Sequence, residues 1–126
     1  MELRRTVFVD EQGVTLEADR DGRDDEAVHL VAVRDGRVVG TLRLLAAGEV
    51  SRLGRMVVSP ELRGSGIGGR LLDLADDVAR EMGHRRIALH AQMPARRVYE
   101  RAGYRMHGDV FVEQGIEHVA MEKPLA

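Results

Sequence analysis

Apolar residues fall in short runs over residues 28–34, 38–45 and 50–58, separated by Asp35-Gly36 and by Ala46-Ala47-Gly48-Glu49. Runs of this length between turn signals predict three strands joined as an antiparallel meander. The pattern changes at Ile67. Ile67, Leu71, Leu74, Ala75, Val78, Ala79 and Met82 recur at the spacing of one helix face, with Asp73, Asp76, Asp77, Arg80 and Glu81 on the other. Gly83 is placed to end that helix. Residues 86–91 are apolar enough for a buried strand. Residues 94–101 read as a short helix, opened by Pro94 and stopped near Gly103. Residues 104–112 and 117–122 read as two last strands around a Gln114-Gly115 turn. The front is less regular. Residues 2–9 fit the end of a helix or a short strand, and the polar, acidic stretch 10–27 reads as a loop. Within it Asp19-Arg20-Asp21-Gly22 resembles a calcium loop. With Gly22 at the sixth position, Val28 stands at the twelfth, where a bidentate Glu is required, so a solvated loop is the better reading. No repeat or linker interrupts the chain, and its 126 residues make one domain, 1–126.

Composition narrows the function classes. With 44% hydrophobic residues the chain can bury a core, and a net charge of −2 gives no basic field for nucleic acid. The charge is uneven: residues 1–26 hold nine acids and four bases, and residues 27–126 hold twelve acids and fifteen bases. An acidic lobe beside a mildly basic one suits a cationic substrate next to an anionic cofactor. Lys123 is the sole lysine against eighteen arginines, so no arginine is informative by its type alone. The absence of cysteine excludes disulfides, a thiolate nucleophile and Cys-based zinc sites. No apolar stretch approaches the ~20 residues of a membrane span, and no signal-peptide core stands at the front. The expectation is a soluble cytoplasmic protein with no metal, no membrane partner and no nucleic-acid partner.

The chemistry concentrates between residues 57 and 72. An apolar strand ends at Val58, Pro60 breaks it, and a glycine-rich turn opens directly into the amphipathic helix. Backbone N–H groups at a helix start lack intrahelical partners, and the helix dipole adds positive charge there, so the turn is an anion cradle. A P-loop needs Gly-x-x-x-x-Gly-Lys-Ser/Thr; Gly64 and Gly69 have that spacing, but Arg70-Leu71 follow, which rules it out. Gly64, Gly66 and Gly69 also satisfy the dinucleotide pattern G-x-G-x-x-G. The strand that follows, residues 86–91, carries no acid for a ribose, and too little chain remains for a dinucleotide fold. The third pattern is R-x-x-G-x-G, met by Arg63, Gly66 and Gly68 after Val58-Ser59-Pro60.

That third pattern resembles the acyl-CoA loop of the GNAT N-acetyltransferases. A second motif of the family, A-x-x-x-Y-x-x-x-G-[FY], is matched by Ala95 through Tyr99 to Gly103-Tyr104, about 30 residues downstream. The order of elements after the meander also matches. Val7-Phe8-Val9-Asp10-Glu11-Gln12, His29-Leu30, Leu53 to Val58 and Gly115 to Met121 are similar to the ElaA-like branch, so the resemblance covers nearly the whole chain.

The resemblance implies an α/β (α+β) GNAT fold: a mixed, mostly antiparallel central sheet with helices on both faces. Only six residues precede Val7 where the family has its first strand and helix, so the fold is expected to be shortened at the N-terminus. A missing first strand would leave an edge for pairing with a second copy. The resemblance further implies that acetyl-CoA is the co-substrate and that Arg63, Gly64, Ser65, Gly66, Ile67, Gly68 and Gly69 grip its pyrophosphate. Backbone groups of Met56, Val57 and Val58 would bond the pantetheine arm, and one N–H would face the carbonyl oxygen. Gln92 stands where many members have Asn and would bond a pantetheine amide. Tyr99 is the implied general acid toward the leaving sulfur, since a phenol is protonated at neutral pH.

The acceptor amine must lose a proton before attack. Glu11, His29 and His118, all in ElaA-like segments, are candidate bases, with Glu11 and His118 carried as catalytic candidates beside Tyr99. His90 reads as a core histidine, and His84 and His107 read as exposed. Arg96, Arg97 and Arg101 read as a solvated helix face. The implied activity is transfer of an acetyl group to a primary amine by direct attack on the thioester. The alternative is a non-catalytic module of the same fold that binds acyl-CoA as a sensor or assembly subunit.

Overall fold

The computed structural model describes residues 3–9, 13–20 and 27–125. Eight strands form one sheet: β1 (Leu3–Val9), β2 (Val14–Arg20), β3 (Ala27–Arg34), β4 (Arg37–Ala47), β5 (Val50–Val58), β6 (Arg86–Gln92), β7 (Arg105–Glu113) and β8 (Ile116–Pro124). Their order across the sheet is β1-β2-β3-β4-β5-β6-β8-β7. The first five pair antiparallel with their sequence neighbours, because the few residues between successive strands leave no room for a crossover. β5 and β6 are parallel, and a helix joins them: α1 (Ile67–Glu81). A short second helix, α2 (Arg96–Arg101), carries the chain from β6 past β8 to β7.

The mixed, mostly antiparallel sheet is the expected fold class. The helices are placed differently. Instead of covering both faces, α1 and α2 lie on the same one among the described residues. Both crossovers advance in the same direction across the sheet, and right-handed connections then put both helices on one side. A Cβ built on Gly40 of β4 would stand 3.0 Å from the Leu71 Cδ1 and 3.2 Å from the Ile67 Cγ2 of α1. That close approach identifies the covered face. Val14, Leu16 and Ala18 of β2, Leu30 and Ala32 of β3, Leu42 and Leu44 of β4, and Ile87 and Leu89 of β6 all lie buried on it. They meet Leu71, Leu74, Ala75 and Val78 of α1. Each fully buried aliphatic side chain contributes about 1.5–3 kcal/mol. On the other face of the same strands Thr41 and Arg43 are half-buried and Val38 is exposed.

The front half departs from its expected loop. Val14-Thr15-Leu16-Glu17-Ala18-Asp19 alternates strictly, apolar side chains inward and polar ones outward, and it pairs with β3 over its whole length. Residues 3–9 resolve into strand β1, which fills the edge beside β2. Glu11, and Asp21 and Gly22 of the expected loop, lie outside the described residues. The meander, α1, and the β7–β8 hairpin follow the predicted spans within one or two residues. The predicted short helix divides into a 3-10 turn, Met93–Ala95, and α2.

Two side chains are placed differently from the helical-wheel and burial expectations. Asp76, on the polar face of α1, is buried and pairs with Lys123 of β8 at 2.5 Å. His84 is buried and hydrogen-bonded to the Ser51 hydroxyl.

Candidate active site

β5 and β6 pair only through Val50–Arg52 and Arg86–Ala88. Beyond those three pairs the strands diverge, and no ladder joins Leu53–Val58 to Leu89–Gln92. The divergence has a local cause. Thr41 pairs with Val57 and Arg43 with Gly54, so Arg55 and Met56 together stand opposite Leu42 in a β-bulge. Arg55 takes φ +56°, a left-handed conformation that costs a non-glycine residue roughly 1–2 kcal/mol. The bulge turns the end of β5 away from β6 and aims Met56 and Val58 at the start of α1. Gly54, a glycine inside a strand, is the local sign of such a bulge, but the residues that bulge are fixed only by the pairing with β4.

The loop after β5 is built to present amides. Pro60–Leu62 forms a 3-10 turn whose Leu62 is anchored in the core. Ser65 donates both its backbone N–H, at 3.1 Å, and its hydroxyl to the Leu62 carbonyl. Gly64 and Gly66 have φ of +84° and +91°, which L residues rarely adopt. Gly66 caps α1 with no side-chain hydrogen bond, and the first N–H returned to the helix is that of Arg70 to the Gly66 carbonyl at 3.1 Å. The amides of Ile67, Gly68 and Gly69 are therefore left for an external acceptor.

A cavity of about 860 Å³ opens between this loop, the end of β5 and α2. Met56, Val57 and Val58 form one wall; Arg63, Gly64, Gly66, Gly68, Gly69 and Arg70 form the floor; Ala95, Val98, Tyr99 and Arg101 form the other wall. Gly68 is a cradle: a Cβ there would stand 2.9 Å from the Met56 Cε. A long chain ending in phosphates fits this shape, with the phosphates on free amides beside Arg63 and Arg70.

Not every expected site residue reaches the cavity. Ser65 spends its donors inside the loop. Ile67 is fully buried, so it offers only its amide. Gln92 is exposed at the end of β6 and is not part of the cavity wall. Arg101, read as a solvated helix face, does line it.

Tyr99 stands in the wall half-buried, its ring edge-on to Tyr104 at 5.9 Å. Burial raises the Tyr99 hydroxyl above the ordinary phenol range, so it keeps its proton and remains a donor. Beneath it Tyr104 is buried, and its hydroxyl has no hydrogen-bond partner. Burial, then Asp76 and Tyr99, push the Tyr104 hydroxyl far upward.

The remaining candidates lie on the opposite face of the sheet. His118 is buried there, and its Nδ1–H donates to the Ile116 carbonyl at 2.8 Å. His90, expected in the core, is on the same face with its side chain 43% exposed. Between them stands Glu113, which residue-type reasoning missed because only the β7–β8 register brings it there. His29 is exposed on β3. Among the described residues no group of histidines and acids is arranged to hold a metal ion, and no helix is long and apolar enough to cross a membrane.

Comparison with known proteins agrees with this geometry. A family model described as an acetyltransferase (GNAT) domain matches residues 6–125. A Bacillus subtilis protein provisionally named an acetyltransferase is 33% identical over 125 residues, covering 97% of this chain and 85% of that protein. Among solved structures, an acyl-CoA N-acyltransferase from Pseudomonas aeruginosa is 32% identical, with a TM-score of 0.69 over 77% of this chain and 68% of that one. Escherichia coli ElaA shares the fold at 24% identity, with a TM-score of 0.71 over 82% of this chain and 73% of that one. The loop, the diverging strands and the family match together make this chain a member of the GNAT acetyltransferase family, an acyltransferase by class.

Proposed function

We propose that this enzyme moves an acetyl group from acetyl-CoA to a primary amine by direct attack on the thioester, in the cytoplasm, as a relative of the ElaA-like branch. The observation that carries the reading is the cavity itself. It has free helix-start amides at one end and a protonated, half-buried Tyr99 in the facing wall. The amides of Gly68 and Gly69, with Arg63 and Arg70, would hold the pyrophosphate. The Arg63 Nε already donates to the Val58 carbonyl at 3.3 Å, which ties the loop to the strand that would carry the pantetheine arm. Backbone groups of Leu53–Val58 that have no partner on β6 would bond the amides of that arm. One N–H near the bulge would face the acetyl oxygen as negative charge develops there. The Tyr99 hydroxyl would protonate the departing sulfur.

Isothermal calorimetry with acetyl-CoA, CoA and NAD tests the donor, with the first two expected to bind and NAD not. Free-thiol release across a panel of primary amines tests the transfer. No binding of acetyl-CoA by the folded chain would overturn the reading. Binding without thiol release on any amine would favour a sensor of acyl-CoA instead.

A further inference from the structure

The loop and Tyr99 lie on the helix-covered face. A cofactor held there fills that mouth of the cleft, so the acceptor must enter from the face that the described helices leave open. One built cluster occupies that face beside the cleft. Gln92, the last residue of β6, pairs with His118 of β8, and His90 pairs with Ala120. Two residues of strand separate His90 from Gln92, about 7 Å. Both therefore stand on the stretch of β6 that has parted from β5.

The cluster is organised by four ring and charge contacts. Phe111 of β7 stacks on the His118 ring, with centroids 5.9 Å apart and planes at 21°, and meets His90 edge-on at 5.0 Å. The Glu113 carboxylate reaches both imidazoles: Oε1 is 3.6 Å from His90 Nδ1 and Oε2 is 3.7 Å from His118 Nε2. These are ion-pair distances, longer than hydrogen bonds, so the carboxylate has lone pairs left for another donor. Its side chain is half exposed, which lets that donor arrive from solvent. One nitrogen of His118 is hydrogen-bonded to a carbonyl, and the other faces the carboxylate. With Nδ1–H committed to the Ile116 carbonyl, its second proton belongs on Nε2, beside Glu113. The site thus has a place for one incoming cation and a place for one proton. By strand register, Arg86 of β6, Glu122 of β8, Arg105 and His107 of β7, and Arg52 of the adjoining β5 are also on this face, and Asp109 stands in the irregular stretch of β7 between His107 and Phe111.

We propose that His90, Glu113 and His118 form the acceptor site, with Glu113 holding the ammonium of a primary amine and His118 Nε2 taking its proton before attack. The proposal rests on the acetyl-transfer reading above. One proton passes from the ammonium to Nε2, and the freed lone pair forms the N–C bond to the acetyl carbon. The C–S bond breaks, and the leaving sulfur takes the Tyr99 hydroxyl proton. Water carries the second proton of the new amide nitrogen to the Tyr99 phenolate, and His118 Nε2 gives up the first proton to solvent. The sum is ammonium plus thioester giving amide, thiol and one proton. His90 completes the pocket as a second partner for the carboxylate.

Two measurements test this. In the first, ¹³C-labelled histidine signals are followed by NMR as cadaverine is added to the full chain without acetyl-CoA. The His90 and His118 signals should move, that of His107 should not, and Glu113→Gln should abolish the response. In the second, thiol release from acetyl-CoA is measured against pH with cadaverine, phenethylamine and Nα-acetyl-lysine amide. Glu113→Gln and His118→Gln should lower kcat/KM at pH 7 about a hundredfold. The deficit should narrow as pH rises and the free amine becomes abundant. Acetyl-CoA affinity should stay within twofold of the parent and His107→Gln should keep parent activity. Because Glu113 is half exposed, its variant carries the test if the His118 variant does not fold. Unmoved His90 and His118 signals, or parent rates with an unchanged pH profile in both variants, would overturn the assignment. Failure of the parent chain to bind acetyl-CoA would instead strike the transfer reading, and the NMR measurement would still decide the cluster.

Discussion

Replacing Lys123 by Met should cost about 3 kcal/mol of stability. The Lys123 Nζ lies 2.5 Å from Asp76 Oδ2, with the two side chains only 20% and 10% exposed. Asp76 Oδ1 is buried without a hydrogen-bond partner, and so is the Tyr104 hydroxyl nearby. Among the described residues the ammonium is thus the one hydrogen-bonded counter-charge for this carboxylate. Methionine keeps an unbranched stem of similar length, so packing against Tyr104 and Gly103 is largely retained. What is lost is the charge, and the carboxylate is left buried with neither oxygen paired. Removing one partner of a buried pair costs about 3–5 kcal/mol, and the lower end applies because Lys123 is partly solvated. Against a total stability of about 5–15 kcal/mol, that is roughly a hundredfold in the folded-to-unfolded ratio. Urea unfolding followed by circular dichroism reads it directly. With a slope of about 1–3 kcal/mol/M, the midpoint should fall by about 1–3 M at unchanged slope. Adding Asp76→Asn to Lys123→Met removes the orphaned charge and should recover most of the loss. A single variant within about 1 kcal/mol of the parent would refute the reasoning, because the pair would then be a solvated one.

Three more outcomes follow from the geometry. Tyr99→Phe should leave acetyl-CoA affinity unchanged in calorimetry while lowering kcat at least tenfold in the thiol assay. Burial raises the Tyr99 hydroxyl, so the acid form is complete at every pH below the ordinary phenol range; a basic limb in kcat below about pH 10 that disappears in Tyr99→Phe would contradict the assignment. Gly68→Ala should separate binding from stability. The new methyl crowds only the flexible end of Met56, touching Val58 at an ordinary 3.9 Å, and alanine favours the helix by about 0.5–1 kcal/mol, so thermal unfolding should barely move while acetyl-CoA affinity drops at least tenfold. Gly40→Ala should do the opposite, destabilising by about 1–3 kcal/mol through contact with Leu71 and Ile67 while leaving affinity intact once folded.

What could be read from residue order alone was what is local. The α1 face from Ile67 to Met82 repeats at helical spacing, and the glycine loop carries its conformational demands in its own residues. Tyr99 stood out because a motif surrounds it. β2 was also local, in Val14-Thr15-Leu16-Glu17-Ala18-Asp19, but the acidic composition around it masked a clean period of two. The misplaced features are the non-local ones. Asp76 sits on the polar side of a helical wheel, and its partner comes from a strand 47 residues on. Glu113 reaches His90 and His118 only through the registers of β6, β8 and β7. Arg55 enters its left-handed conformation because a bulge sets β5 against β4; Gly54 hints at a bulge, but only the pairing places it at Arg55 and Met56.

The three residue pairs that join β5 to β6 also make a mechanical seam. On one side lie five strands paired neighbour to neighbour, and on the other a three-stranded unit of β6, β8 and β7. A load applied between residues 3 and 125 crosses from β1 to β8 and must pass through that short ladder, with α1 packed across it as a splint. A pantetheine arm lying between Leu53–Val58 and Leu89–Gln92 would supply rungs that the two strands lack. The co-substrate would then act as a rivet: the loaded enzyme should resist pulling at higher force than the free one, and amide exchange along both edges should slow when acetyl-CoA is present.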